Sequence, residues 1–231
     1  MMHVFRLKRR FLILCCVIFA AFAVCLNTFA QEEPARPQII LDAGHGGIDP
    51  GAVSASGIAE KDINLHIAQK LAVLLRTAGF EVILTRDSDI SLHDAQYTAV
   101  RQIKTSDLKN RLRLFNEHPD ALVISIHQNQ FAQAKYRGAQ MFAGPNNPES
   151  QKLAESLQSA VKTHLQPENT RAPKTATKDV YIIYHAKNPA VLAECGFLSN
   201  PEEAALLNTD GYQTQMALAL FEGILRYYQE K

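Results

Sequence analysis

Cysteine is almost missing from the body of this 231-residue chain. Cys15, Cys16 and Cys25 lie within the first 26 residues, and Cys195 stands alone beyond them. An intrachain disulfide in the body is therefore excluded, so burial must hold the fold together. There is no fixed-period repeat and no low-complexity tract, which argues against solenoids and arrays. With 47% hydrophobic and 20% charged residues the chain is too apolar for disorder. Beyond residue 30 it carries 20 basic and 23 acidic side chains with no long run of either sign. A nucleic-acid interface thus has no electrostatic support. The HExxH helix signature, one common route to a zinc site, is absent. What remains suits one ordinary globular domain with a sizeable core.

The first thirty residues stand apart. Arg6, Lys8, Arg9 and Arg10 precede sixteen uninterrupted apolar residues, FLILCCVIFAAFAVCL at 11–26, and then NTFAQEEP. A full spanning helix needs ~20 such residues, and a signal-peptide core fewer. Residues 1–30 are read as an export signal cleaved after TFA, with a retained amino-terminal anchor through residues 11–26 as the alternative. Val24 is too bulky before Cys25 for a lipoprotein attachment site. Either way the body is expected outside the cytoplasmic membrane. Residues 31–37, QEEPARP, read as a linker, and 38–231 as the single folded domain.

The body alternates strand and helix signals. Gln38 to Asp42 is a short apolar strand, and HGGIDPGAVSASG (45–57) is a glycine-rich loop. Ile63, Ile67, Leu71, Leu74 and Leu75 recur at helical spacing from Glu60 until Gly79. FEVILTR (80–86) predicts a second strand, completing a βαβ unit with a parallel pair. Residues 87–105 read as a polar surface excursion. A helix follows, marked by Leu108, Leu112 and Phe115, with Ser106 as its N-cap. ALVISIH (121–127) is a buried strand, GAQMF (138–142) a weaker one, and 148–165 a helix. Residues 166–178 look polar and mobile, VYIIY (180–184) and AVLAE (190–194) predict two more strands, and 201–228 is helical with a break near Asp210. The pattern defines an α/β domain with a mostly parallel sheet flanked by helices on both faces.

Three strands end at or near an ionisable residue: the first at Asp42 and His45, the third at His127, the last at Glu194. Ligands of open α/β sheets bind beyond the carboxyl ends of the strands, so these groups can share one small volume. Glu60, which begins the helix leaving the first strand, belongs to the same edge. Glycines around His45 let the backbone turn sharply and keep bulky groups away from the imidazole. Two imidazoles and one carboxylate form a three-ligand set for Zn²⁺ that leaves a fourth position open, the pattern of catalytic sites. A further carboxylate there, Glu194, suits proton transfer.

The other histidines read as bland. His66 fits the boundary of a helix, His93 the long loop, and His118 and His164 helix ends. His185, between a predicted strand and the one carrying Glu194, is a candidate to line the cleft. Cys195 should point away from Glu194 and pack in the core.

Three separated stretches carry a family resemblance: LDAGHGGIDPGAVSASGIAEKDINL, SIHQNQF and PAVLAECGFLSNPEEAALL. They resemble the two histidine motifs and the closing glutamate motif of the zinc-dependent N-acetylmuramoyl-L-alanine amidases of the type-3 amidase family, in the family's order. The resemblance spans residues 38–228. It implies a mixed sheet of about six strands, one Zn²⁺ held by His45, Glu60 and His127, and Glu194 as the catalytic glutamate. It implies peptidoglycan as substrate, cut between the lactyl group of N-acetylmuramic acid and L-alanine. Gln128, Asn129 and Gln130 replace the small residues usual after the second histidine. Asn129 is expected at the cleft wall, and the bulkier neighbours are expected to shift substrate preference. The stretch TRDSD, the long loop and SDLKNRLRLFNEHPDALVISIH look most like spore-type, germination-specific cortex members. Whether an activator protein is needed stays open. A zinc peptidase acting on the stem peptide, or a wall-binding module without catalysis, would use the same cleft. Muropeptide mass spectrometry separates them, since only the amidase frees lactyl carboxylates.

Overall fold

A computed structural model describes residues 37–230. The export-signal reading and nearly all of the linker fall outside the described residues. The described residues form one compact unit. No helix among the described residues is long and apolar enough to cross a membrane.

Six strands form one mixed sheet: β1 (Gln38–Ala43), β2 (Glu81–Leu84), β3 (Leu122–Asn129), β4 (Gln140–Ala143), β5 (Lys174–Thr175) and β6 (Ala190–Phe197). Their order is β2-β1-β3-β6-β4-β5. Every pairing is parallel except that of β4 with β6. Six helices complete the domain: α1 (Glu60–Thr77), α2 (Val100–Glu117), α3 (Glu149–His164), α4 (Tyr181–His185), α5 (Pro201–Leu207) and α6 (Asp210–Gln229).

The sheet divides the core in two. Ile39, Leu41, Ile124 and Ile126 pack on one face against α1, α3 and α6. Ile40, Val123 and Leu192 pack on the other against Phe115 of α2 and Ile182 and Ile183 of α4. The apolar stripe of α1 is buried as its spacing predicts, through Ile63, Ile67, Leu71 and Leu75. That helix stops where Gly79 adopts φ +90°. Gly79 N–H then donates to Arg76 O and Phe80 N–H to Leu75 O, the paired bonds of a Schellman termination.

Three expectations need correction. First, α2 begins at Val100 and not after Ser106. Its inward face follows a single apolar residue, Ile103, with Ser106, Asp107 and Arg111, all buried, so no continuous apolar stripe marks its start. Ser106 caps nothing; its hydroxyl donates to Asp94 of the preceding loop. Second, residues 180–184 are not a strand, because Tyr181–His185 is a one-turn helix. Its consecutive Ile182 and Ile183 are both buried against one cluster, which a strand's alternation forbids. Third, the polar segment 166–178 supplies the edge strand β5 beside β4. Asn169 within it is buried, and its side-chain amide donates to Ala139 O at 2.8 Å.

Candidate metal centre and catalytic carboxylate

The first strand delivers its chain into a turn that few side chains tolerate. His45 has φ +61°, followed by Gly46 at +132° and Gly47 at +57°. Two buried arginines fix that turn. Arg86 donates to Ala43 O, Gly44 O and Lys61 O, and Arg111 donates to Ala43 O and His45 O. Arg111 is itself held by Asp42 and Asp107. Burial alone would raise the Asp42 carboxyl, but the Arg111 guanidinium and the Ser125 hydroxyl outweigh it and hold it below the usual carboxylate range. A buried ion pair thus underlies the loop that presents the imidazole.

His45, Glu60 and His127 come together at this rim, with one donor atom from each lying within 4.8 Å of the others. Glu60 Oε2 is 3.2 Å from His45 Nε2, and Oε1 is 2.8 Å from His127 Nδ1. The carboxylate is aimed by backbone and helix partners. Ala52 N–H donates to Oε2, Gln128 N–H to Oε1, and Asn64, one turn along α1, to Oε1 at 3.3 Å. On its far side His45 Nδ1 meets Asp49 Oδ2 at 2.9 Å, and Lys104 holds the other Asp49 oxygen. A carboxylate there fixes the tautomer and turns Nε2 toward Glu60.

Desolvation would lower the His45 imidazole, but its contacts with Asp49 and Glu60 prevail and push it up to about 9. Glu60 is driven well below the ordinary carboxyl value. Its burial works the other way and is overcome by the two histidines. Such a set favours a cation. Two imidazole nitrogens and a carboxylate are the donors that zinc takes. The neighbourhood is shaped for it by two glycines. A Cβ on Gly44 would lie 2.1 Å from His127 Nε2, and one on Gly51 would lie 2.5 Å from Glu60 Oε2.

Glu194 stands beside this set on β6, in register with His127 of β3. Its Oε2 is buried and without a hydrogen-bond partner among the described residues. Burial, and next the negative charge of Glu60, push its carboxyl up to about 8, against a smaller opposite pull from His45. A carboxyl that exchanges its proton near neutrality suits general acid–base work. Cys195 is fully buried in the core behind it, and burial pushes its thiol up out of the reactive range.

Asn129 ends β3 two residues beyond His127 and is half-buried, its carbonyl accepting from Leu198 N–H. The bulky Gln128 does not reach the cleft. It is buried, and its amide donates to Asn64 Oδ1. His185 is not brought to the cluster. It is exposed at the end of α4, against the rings of Tyr181 and Tyr184. That helix lies near the amino-terminal end of β6, whereas Glu194 lies toward the other end. The groups that sequence reasoning passes over are Asp49, Asn64, Arg86 and Arg111. Asn64, at i+4 from Glu60 on α1, is the one local signal for any of them.

A mixed six-stranded sheet with two histidines and two glutamates converging at its rim defines an α/β domain with a metal-type donor cluster beside a buried carboxylate. The chain belongs to the N-acetylmuramoyl-L-alanine amidase family, which matches residues 39–226. The germination-specific N-acetylmuramoyl-L-alanine amidase of Bacillus subtilis (strain 168) is 38% identical over 193 residues, 84% of this chain and 80% of that protein. The CwlD amidase from Clostridioides difficile, solved in complex with the GerS lipoprotein, is 40% identical with a TM-score of 0.82, covering 85% of this chain and 100% of that one. AmiC2 of Nostoc punctiforme, another N-acetylmuramoyl-L-alanine amidase, is 26% identical with a TM-score of 0.72, covering 85% and 99%. The protein is thus an amidase of peptidoglycan, and the peptidase and binding-module readings fall away.

Proposed function

We propose that this amidase works as a zinc enzyme of the spore-cortex type, with His45, Glu60 and His127 as metal ligands and Glu194 as its acid–base residue. The observation that carries the reading is the pairing of that donor cluster with a buried, unpartnered carboxylate oxygen one strand away. When bound, Zn²⁺ supplies Lewis acidity to the carbonyl under attack and to the attacking water. Glu194 takes the proton of the water as its oxygen adds to the lactyl carbonyl carbon. The same carboxyl then returns that proton to the L-alanine nitrogen as the C–N bond breaks. Asp49 and Asn64 hold His45 and Glu60 in the orientation this requires.

The likeness to a germination-specific enzyme and to CwlD supports the cortex role. The lipoprotein bound to CwlD supports a lipoprotein partner for this chain as well. An extracytoplasmic location follows from the substrate, and residues 11–26 would give the route out or the attachment.

Glu194→Ala should keep stoichiometric zinc and lose roughly 10²–10⁴ in turnover. His45→Ala should lose the metal, since two protein ligands hold zinc poorly. Metal analysis beside product mass spectrometry checks both. Full turnover by Glu194→Ala would remove that residue from the reaction.

A further inference from the structure

Gln128 follows His127 on β3, and strand alternation turns its side chain to the α1 face, with Ile124 and Ile126. There it is buried against Asn64, itself fully buried on α1. Gln128 Nε2 donates to Asn64 Oδ1 at 3.1 Å. The Asn64 amide nitrogen directs both of its hydrogens at the rim. It donates to Glu60 Oε1 at 3.3 Å and to Gly44 O, the carbonyl just before His45, at 3.2 Å.

These bonds tie one residue to all three metal-type donors. His127 is its chain neighbour. Its backbone N–H donates to Glu60 Oε1 at 2.9 Å. Its side chain reaches Glu60 a second time, and the His45 turn, through Asn64. An asparagine amide donates only from nitrogen and accepts at oxygen. With both donors of Asn64 engaged toward the rim, its Oδ1 needs a donor behind it, and Gln128 Nε2 is the one that meets it among the described residues. An acceptor in that place would favour turning the amide over, which brings oxygen against the Glu60 carboxylate.

Folding alone does not account for the glutamine. Its Oε1 finds no N–H or O–H donor among the described residues, and the amide's further contact is with the Cys195 thiol, a weak donor. Replacing Gln128 by methionine removes that unmet acceptor and creates another at Asn64 Oδ1. The two changes oppose each other, so global stability has little stake in the amide. We propose that Gln128 is a positioning residue. Acting through Asn64, it fixes the Glu60 carboxylate against the His45 turn, so that the three donors meet one ion without rearrangement. The inference rests on the reading of His45, Glu60 and His127 as the metal ligands.

Chelator competition measures the zinc affinity of the purified protein, and urea unfolding of the metal-free form measures its stability. Gln128→Met should weaken zinc binding roughly 10-fold, with little change in the unfolding midpoint. Gln128→Glu keeps the size but sets an acceptor against Asn64 Oδ1, and should weaken it further. Asn64→Ala should lose more than Gln128→Met does. Adding Gln128→Met to Asn64→Ala should then cost nothing more, because the path runs through Asn64. Additive losses in that double variant would overturn the proposal, and so would an unchanged affinity in Gln128→Met. Ile224→Val removes a buried methylene from α6, which carries none of the rim groups. It should lower the unfolding midpoint and leave zinc affinity as it is. A fall in affinity there as large as that of Gln128→Met would mean that affinity merely follows stability, and would also overturn the proposal. A wild type that takes up no zinc, or His45→Ala that keeps it, would instead defeat the metal-ligand reading, and the proposal would fall with it.

Discussion

At the scale of single residues the site is organised by what His45 must do with its proton. In the metal-free protein Asp49 and Glu60 keep that imidazole charged up to about pH 9, after overcoming the opposing effect of burial. A metal ligand has to be neutral. Zinc uptake at pH 7 should therefore expel about one proton from His45, and apparent affinity should fall roughly tenfold per pH unit as pH drops below about 9. Calorimetry in buffers of different ionisation enthalpy counts the released protons, and a count of zero would sink this account. The four groups at the rim were legible in sequence because each sits at a strand's end or a helix's first turn, flanked by glycine or by an apolar run. Asp49, Arg86 and Arg111 were not. Their chemistry lies in contacts with loop carbonyls and with each other's neighbours, and polar residues in polar stretches read as surface.

Among elements, α1 and α2 show why one boundary could be read and another could not. The apolar stripe of α1 and Gly79 mark both its course and its stop. The first turns of α2 turn Ser106 and Asp107 inward beside the single apolar Ile103, so hydropathy gives no helical period there. The two-residue strand β5 is likewise invisible, since Lys174 and Thr175 are exposed and only their pairing to β4 makes them sheet. The glycines give a matched pair of experiments. A Cβ on Gly79 would meet nothing within 4 Å, so Gly79→Ala should cost only the left-handed backbone strain, about 1–2 kcal/mol in urea unfolding. Zinc binding should be untouched. Gly44→Ala places its Cβ against the His127 ring, and should cost metal affinity well beyond any change in stability. Equal zinc affinities for the two variants would contradict the cradle described here.

For the molecule as a whole, the Asp42–Arg111 pair joins sheet, helix and active-site loop. Asp42 is fully buried on β1, and Arg111 reaches it from α2 while donating to the carbonyls of Ala43 and His45. Breaking such a pair from one side leaves a buried charge alone, so Arg111→Met should cost about 3–5 kcal/mol. The pair also sets an acid limit. The folded-state value of Asp42 lies below its ordinary 3.8, so its contribution is complete above that value and is lost as pH falls through the lower, folded one. Urea unfolding from pH 6 downward should show that loss in the wild type and its absence in Arg111→Met. The α/β class and mostly parallel sheet could be read from alternating strand and helix signals. This hub could not, because nothing local ties residue 42 to residue 111.

One strand runs against the rest. Because β4 is antiparallel to β6, its beginning, not its end, arrives at the reactive rim, bringing the turn before it. The turn that enters β4 can therefore change length without shifting the register of His127 against Glu194, because that register is set between β3 and β6 alone.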